Sequence, residues 1–140
     1  MSRRLQTIVE IFVATAQKYP DHIAVKYCID NDWHGITYAE LLVEARHTAA
    51  YLASIGVGSG DPVILMSQRS PQLCSNLLGI LWVGAHYVFV DGNYPLERQQ
   101  FICSEVGATV GLCDSTIPTA NNLNIQWHST PITEKSLGSD

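Results

Sequence analysis

Four stretches of the chain place apolar residues at the three- and four-residue spacing of an amphipathic helix. The first stops before Pro20, and the second follows Thr37, which forms a Thr-x-x-Glu capping box with Glu40. The third begins at Ser70-Pro71, and the fourth begins after Asn93-Tyr94-Pro95. The apolar positions expected to face the core are, helix by helix, Ile8, Ile11, Phe12, Ala16 and Tyr19; Leu41, Ala45, Ala49 and Leu52; Leu73, Leu77, Ile80 and Leu81; Ile102, Cys103 and Val106.

Short apolar or alternating segments lie between these helices and predict β-strands. The segment Val63–Met66 is a continuous apolar run, which is typical of a parallel strand covered on both faces. The other predicted strands are His22–Cys28, Gly35–Thr37, Tyr87–Val90 and Thr109–Cys113. Because strand and helix alternate from residue 63 onward, the sequence predicts an α/β domain with αβα layers and a largely parallel sheet.

The helix and strand signals weaken after Asp114, where Ser, Thr, Pro and Asn dominate. We therefore expect residues 1–115 to form the ordered part of the domain. Residues 116–140 are expected to be a poorly structured tail with one candidate strand, Asn124–Trp127.

The composition and charge of the chain exclude two classes of partner. Hydrophobic residues make up 46% of the 140 residues, which suffices for one domain with a core. The net charge is −5 and the eight basic residues are scattered, so a nucleic-acid partner is not expected. The longest apolar stretch, Leu77–Ala85, is too short to span a bilayer, so a membrane partner is not expected either.

The cysteines and histidines show no metal-binding spacing. Cys28, Cys74, Cys103 and Cys113 sit inside apolar runs, which favours buried thiols over a disulfide framework or a zinc site. The five histidines are dispersed and form no HxxxH pattern. We expect reduced thiols, no metal site and a cytoplasmic setting.

Three segments carry a family resemblance: Ile36–Leu41; Gly56–Val63 followed by Arg69-Ser70-Pro71; and Leu81–Asp91 continued by Tyr94–Arg98. In this order and spacing they resemble the N-terminal core motifs of adenylation domains from nonribosomal peptide synthetases, including T-Y-x-E-L and L-K-A-G-x-A-Y-V-P-L-D. The resemblance covers about residues 5–115 and implies an incomplete N-terminal subdomain of the adenylate-forming ligase fold.

Two features refine the resemblance. The Tyr-Pro-x-Glu-Arg stretch at residues 94–98 favours the amino-acid-activating branch over acyl-CoA synthetases, which stay an alternative. Phe89 stands where the family usually has proline, and Gly92 follows Asp91 where a second proline is common. Both departures raise the question of whether full activity is retained.

The resemblance implies a reaction in which a carboxylate and ATP form an acyl-adenylate and pyrophosphate, after which the acyl group passes to a carrier-protein thiol. That chemistry needs a phosphate loop with a lysine, a magnesium ligand, a ribose-binding aspartate and a mobile lysine. Gly56–Gly60 has no lysine and precedes a strand, so it is interpreted as a helix-ending turn. We expect the chain to stop before the family's phosphate loop.

We therefore assign this chain no catalytic, cofactor-binding or metal-binding residue. ATP, Mg²⁺ and the carrier protein belong to the complete domain. Asp91 follows a predicted parallel strand, at the edge where α/β sites form, but a turn-capping role is favoured over metal or substrate contact. Glu97 and Arg98 are expected to provide first-turn helix chemistry and a surface ion pair.

Three classes of function stay open. The leading one is a fragment of an adenylation domain that is inactive by itself. The second is an interaction module, whose open sheet edges and apolar surface invite self-association or a partner supplying the missing half. The third is a complete small α/β hydrolase, which is disfavoured because no G-x-S-x-G sequence is present.

Overall fold

A computed structural model describes residues 7–67, 70–114 and 124–130. The predicted helices are all present, and strands lie at or next to each predicted position. In chain order the elements are α1 (Ile8–Lys18), β1 (Ile23–Ile29), β2 (Asp32–Thr37), α2 (Tyr38–Ser54), β3 (Pro62–Met66), α3 (Pro71–Trp82), β4 (His86–Phe89), α4 (Leu96–Val106), β5 (Val110–Asp114) and β6 (Gln126–Thr130).

Side-chain caps fix where the helices begin. The Thr37 hydroxyl accepts a hydrogen bond from the Glu40 N–H at 3.1 Å, and the Glu40 carboxylate accepts one from the Thr37 N–H at 2.9 Å. This confirms the predicted capping box of α2. An equivalent box joins Thr7 and Glu10 at α1. Gly107, in the left-handed conformation, ends α4.

Strands β3 to β6 form one parallel sheet in the order β4-β3-β5-β6. The chain passes from β3 to β4 through α3 and from β4 to β5 through α4. The predicted α/β class with a parallel sheet is confirmed. Strands β1 and β2 form a separate antiparallel pair.

The two faces of the parallel sheet carry separate core clusters, as alternating side chains require. Val63 and Leu65 join a cluster with Leu52 of α2 and Ile80 of α3. Ile64 and Met66 join the opposite cluster, with Cys103 of α4. All four strand residues are buried, so β3 is covered on both faces and the layering is αβα. The predicted α2 stripe of Leu41, Ala45, Ala49 and Leu52 is likewise buried.

The predicted core face of α1 is wrong in part. Ile8 and Ile11 are 66% and 50% exposed, and Tyr19 is also exposed, whereas Ala16 is buried. The reason is that α1 packs on α2 and α3 through one narrow face, which leaves the turns around Ile8 and Ile11 in solvent. Val106 is exposed too, because α4 ends there and Gly107 turns the chain away.

Helix α3 buries a polar flank that its apolar spacing does not reveal. Gln72, Ser75, Asn76 and Gly79 are buried, whereas Leu73 and Leu77 are partly buried against the sheet cluster. Helices α2 and α3 pack closely, and the Thr48 hydroxyl of α2 donates a hydrogen bond to Asn76 Oδ1 at 3.4 Å. The predicted stripe of α3 is therefore only one of its two packed flanks.

The sheet continues beyond the predicted end of the ordered region. Strand β6 pairs with β5 and overlaps the predicted strand Asn124–Trp127 at its last two residues. Its His128 ring stacks on Tyr51 of α2, with the ring centroids 3.8 Å apart. The expectation of a poorly structured tail at 116–123 and 131–140 lies outside the described residues, and the boundary at 115 stays a prediction. Within residues 7–67, 70–114 and 124–130, no helix is long and apolar enough to cross a membrane.

Candidate functional site

The carboxyl edge of the parallel sheet is where an α/β fold forms its sites. The strand order switches between β3 and β5, because the chain first forms β4 on one side of β3 and then returns to form β5 on the other side. Residues 68–69 after β3 and residues 115–123 after β5 lie outside the described residues. The loop Asp91–Pro95, which follows β4, is the fully described part of this edge.

Asp91 holds the first turn of this loop. Its Oδ1 accepts a hydrogen bond from the Asn93 N–H at 2.9 Å, and its carbonyl accepts one from the Tyr94 N–H at 3.1 Å. Val90, which is fully buried, anchors the loop to the sheet through its N–H and the Leu65 carbonyl. The structure confirms the turn-capping role predicted for Asp91.

Gln99 fixes the same loop from inside the fold. Only 8% of this residue is exposed, and its Nε2 donates hydrogen bonds to the carbonyls of Gly92 at 3.3 Å and Tyr94 at 2.8 Å. Sequence reasoning missed Gln99. The available signal was its position one helical turn before the buried Cys103, on the inward face of α4.

The predicted surface ion pair between Glu97 and Arg98 is wrong for the part of the chain that the structure describes. The Arg98 guanidinium lies over the Tyr94 ring, 4.2 Å from its centroid, in a cation–π contact. Consecutive residues on a helix point in different directions, so the side chains of residues i and i+1 do not face each other. Glu97 keeps its predicted place in the first turn of α4, where a carboxylate is favoured.

The glycine-rich segment 56–60 is a structural turn at the amino edge of the sheet. The N–H of Gly58 donates to Asp61 Oδ2 at 2.9 Å, and the N–H of Gly60 donates to the Gly84 carbonyl at 3.0 Å. Gly56, with φ of +87°, follows α2 as predicted for a helix-ending glycine. Because these N–H groups are engaged within the fold, the segment cannot act as a phosphate cradle.

The four thiols differ in their surroundings. Cys103 is buried and Cys74 and Cys113 are partly buried, but Cys28 is exposed, so the expectation of buried thiols is wrong at that position. The reason is that only one face of the β1–β2 pair packs on the rest of the domain. Burial raises the pKa of the Cys74 and Cys103 thiols. Within the described ranges, no three His, Cys, Asp or Glu side chains are grouped to hold a metal ion.

An open groove of about 490 Å³ lies at the amino edge of the sheet, beside the end of α4. Its wall includes Gln100, Cys103, Ser104, Thr109 and Asn124, and none of the described residues that line it carries a charge. The described part of the groove therefore offers no acid, base or phosphate-binding cation, and it lies at the opposite edge of the sheet from the Asp91 loop.

These features define a class of protein, an α/β domain whose parallel sheet is covered on both faces. In the part of the chain that the structure describes, the polar residues at the carboxyl edge of the sheet form caps and turns. A family model for AMP-binding enzymes matches residues 12–137, so the chain belongs to the AMP-binding enzyme family.

The curated relatives are peptide synthetases, as the sequence resemblance predicted. The chain is 36% identical over 124 residues to gramicidin S synthase 2 of Brevibacillus brevis, a match over 87% of this chain and 3% of that protein. It is 35% identical over 109 residues to bacitracin synthase 3 of Bacillus licheniformis, over 78% of this chain and 2% of that protein. The chain thus spans only a few per cent of the length of these relatives.

Solved structures support the fold at the level of a subdomain. The N-terminal subdomain of Klebsiella oxytoca NpsA, in complex with 3-hydroxybenzoyl-AMSN, matches with a TM-score of 0.72 and 29% identity. The match covers 89% of this chain and 30% of that one. A fatty acid AMP ligase from Legionella pneumophila has a TM-score of 0.78 at 20% identity, which indicates a shared fold alone. The predicted N-terminal part of an adenylate-forming ligase fold is confirmed.

Proposed function

We propose that the chain is part of an ATP-dependent adenylation domain that activates an amino acid for a carrier protein. The identity to peptide synthetases over most of the chain supports the amino-acid branch over a fragment of an acyl-CoA synthetase. In the complete domain an amino-acid carboxylate attacks the α-phosphorus of ATP. An acyl-adenylate forms and pyrophosphate leaves, after which a carrier thiol takes the acyl group. We place this activity in the cytoplasm, consistent with the four free cysteines.

The 140 residues supply scaffold to this reaction and do not catalyse it by themselves. The observation that carries this proposal is that the candidate nucleotide-binding groups among the described residues already form hydrogen bonds within the fold. The Asp91 carboxylate caps its own turn, and the N–H groups of Gly58 and Gly60 are donated within the fold. The described residues therefore do not fit a triphosphate or Mg²⁺, and both are assigned to other parts of a complete domain.

Amino-acid-dependent exchange of labelled pyrophosphate into ATP tests this proposal directly. We expect the purified 140-residue chain, offered each common amino acid with Mg²⁺ and ATP, to give no exchange above a heat-denatured sample. Intact NpsA, assayed with its own acid, serves as the positive control. Robust exchange that depends on one amino acid and on the folded chain would overturn the proposal.

A second candidate function, an interaction module, is favoured by the apolar surface of β4. Tyr87 and Phe89 of this strand are both exposed, at an edge of the sheet. Such an edge invites a partner that supplies the missing part of the domain, or self-association. Size-exclusion chromatography distinguishes a monomer from a self-associated chain or a complex with a partner. A soluble monomer that binds no complementary polypeptide would contradict an interaction role.

A further inference from the structure

A second cleft lies beside the open groove at the amino edge of the sheet. Its volume is about 200 Å³, and it shares Gly107 and Thr109 with the groove. Strands β3 and β5 begin at this cleft, and helices α2 and α4 end there. We call it the amino-edge cleft, and its remaining wall includes Ile55, Val57, Asp61, Pro62 and Val110.

Two helices place their negatively polarised ends at the amino-edge cleft. Ile55 follows the last turn of α2 and Gly107 follows that of α4, and both residues line the cleft. The last carbonyl groups of a helix lack partners within the helix and carry a partial negative charge. A basic side chain in the last turn can offset this charge. Lys18 is in that position in α1, whereas α2 and α4 have no basic residue there.

Two carboxylates add to the negative charge at this edge. Asp61 is the charged residue among the described residues that line the cleft, and it is exposed. Its Oδ2 accepts a hydrogen bond from the Gly58 N–H at 2.9 Å, so Oδ1 can accept another from a ligand. Glu105 lies in the last turn of α4, where the helix disfavours a carboxylate. A cation bound in the cleft would offset this charge.

The rest of the wall determines which kind of cation fits. Most of it is apolar, and Thr109 brings a hydroxyl group that can accept a hydrogen bond. Within the described ranges, no three His, Cys, Asp or Glu side chains are grouped to hold a metal ion, which disfavours a chelated metal. An alkylammonium ion has three N–H donors on its head and an apolar chain. It can therefore pair with Asp61 while its chain contacts the apolar wall.

We propose that the amino-edge cleft is a binding site for a small alkylammonium ion. The ammonium group pairs with the Asp61 carboxylate near the carbonyl ends of α2 and α4, and the alkyl chain packs against Ile55, Val57 and Val110. A free amino acid is less suited, because its own carboxylate would meet the same negative charge. The inference goes beyond the proposed function, since the cleft lies at the opposite edge of the sheet from the Asp91 loop and shares no residue with it.

NMR titration of the isotopically labelled 140-residue chain tests the site, with butylammonium chloride as the probe at constant ionic strength. We expect saturable shifts of the Asp61, Thr109 and Val110 amide signals, with a dissociation constant in the millimolar range, as suits a small ligand with one exposed ion pair. Butanol and sodium butyrate retain the alkyl chain without the positive charge, so neither should give saturable shifts. An equal response to butanol, or to potassium chloride in place of butylammonium, would overturn the assignment.

The Asp61→Asn variant isolates the charge at the cleft. Asparagine retains an oxygen that can accept from the Gly58 N–H, so the turn is kept while the ion pair is lost. We expect the dissociation constant for butylammonium to rise by about threefold or more. Asp32→Asn is the matched control, because Asp32 is an exposed carboxylate on β2 that does not line the cleft. Unchanged affinity in Asp61→Asn, or an equal loss in both variants, would contradict the site.

The Thr109→Lys variant tests the same site if Asp61→Asn does not fold. Thr109 is exposed immediately before β5, so a lysine there would bring its own ammonium group to the cleft. We expect this tethered cation to compete with butylammonium and to abolish its binding. Undiminished binding by a folded Thr109→Lys chain would place the ligand elsewhere and overturn the inference.

Discussion

The Gln99 side chain reaches from the first turn of α4 to the carbonyl of Gly92, 3.3 Å away, and to that of Tyr94, 2.8 Å away. Gly92 stands where proline is common in the adenylation motif that this chain resembles. Glycine leaves the main chain freer than proline would, so the Gln99 hydrogen bonds restrain a loop that residue 92 does not itself restrain. Asp91 adds the cap on Asn93, and the two contacts together hold the carboxyl-edge loop.

Replacing Gln99 by Leu should loosen this loop and destabilise the fold. The change removes both side-chain hydrogen bonds and leaves the carbonyls of Gly92 and Tyr94 without that donor, at a cost of about 1–3 kcal/mol. Urea unfolding followed by circular dichroism measures the effect. Gln17→Leu is the matched control, because Gln17 is exposed on α1, and its unfolding midpoint should stay near the wild-type value. Equal urea unfolding midpoints for the two variants would show that the Gln99 hydrogen bonds do not stabilise the fold.

Replacing Gly79 by Ala should also destabilise the protein, against the usual effect in a helix. A Cβ at Gly79 would lie 2.5 Å from Cγ2 and 2.6 Å from Cβ of Thr48, so α2 and α3 would have to move apart. Overpacking costs about 1–3 kcal/mol, and the contacts at 2.5 and 2.6 Å place Gly79 at the upper end of that range, above the gain in helix propensity of about 1 kcal/mol. The same urea titration applies. Gly58→Ala, where the new Cβ meets nothing within 4 Å, should be close to neutral.

Local patterns predicted the parts of the fold that local forces decide. The Thr37–Glu40 capping box, the helix-ending Gly56 and the Asp91 turn each depend on residues within about four positions of one another. The apolar run Val63–Met66 likewise encodes a strand covered on both faces. These features give the α/β class and the caps without knowledge of tertiary contacts.

Features that depend on distant partners were predicted only in part or not at all. Strand β6 has little periodicity, and its place depends on Trp127 packing where Gly111 of β5 has no side chain, and on His128 stacking against Tyr51. The role of Gln99 emerges only once the Asp91 loop folds back over α4. The exposure of Ile8 and Ile11 reflects how few elements cover α1, which no spacing of apolar residues reveals.

The packing of His128 should make stability fall at acidic pH. Burial lowers the pKa of His128 below its ordinary value of 6.5, because the partly buried ring, stacked on Tyr51, loses solvation that its charged form needs. A base with a lowered pKa in the fold stabilises the protein fully above 6.5, and this contribution is lost as the pH falls through the folded pKa.

Comparison of the wild type with His128→Phe isolates this contribution. Phenylalanine keeps a ring against Tyr51 but cannot be protonated. When the pH is lowered from above to below 6.5, the urea unfolding midpoint of the variant should therefore fall less than that of the wild type. If the unfolding midpoints of the wild type and the variant had the same pH dependence, protonation of His128 would not contribute to the stability of the fold.

The four thiols should react in an order set by exposure and by thiolate content. Cys28 is exposed, whereas Cys103 is buried and its pKa is raised by that burial, which lowers the fraction of reactive thiolate at neutral pH. Brief treatment of the native chain with iodoacetamide, followed by peptide mass spectrometry, should label Cys28 first. Cys103 should react at a comparable rate only after unfolding in urea. Removing the fast phase by Cys28→Ser would confirm its source, while rapid labelling of Cys103 in the native chain would show that α4 opens from the sheet more readily than its packing implies.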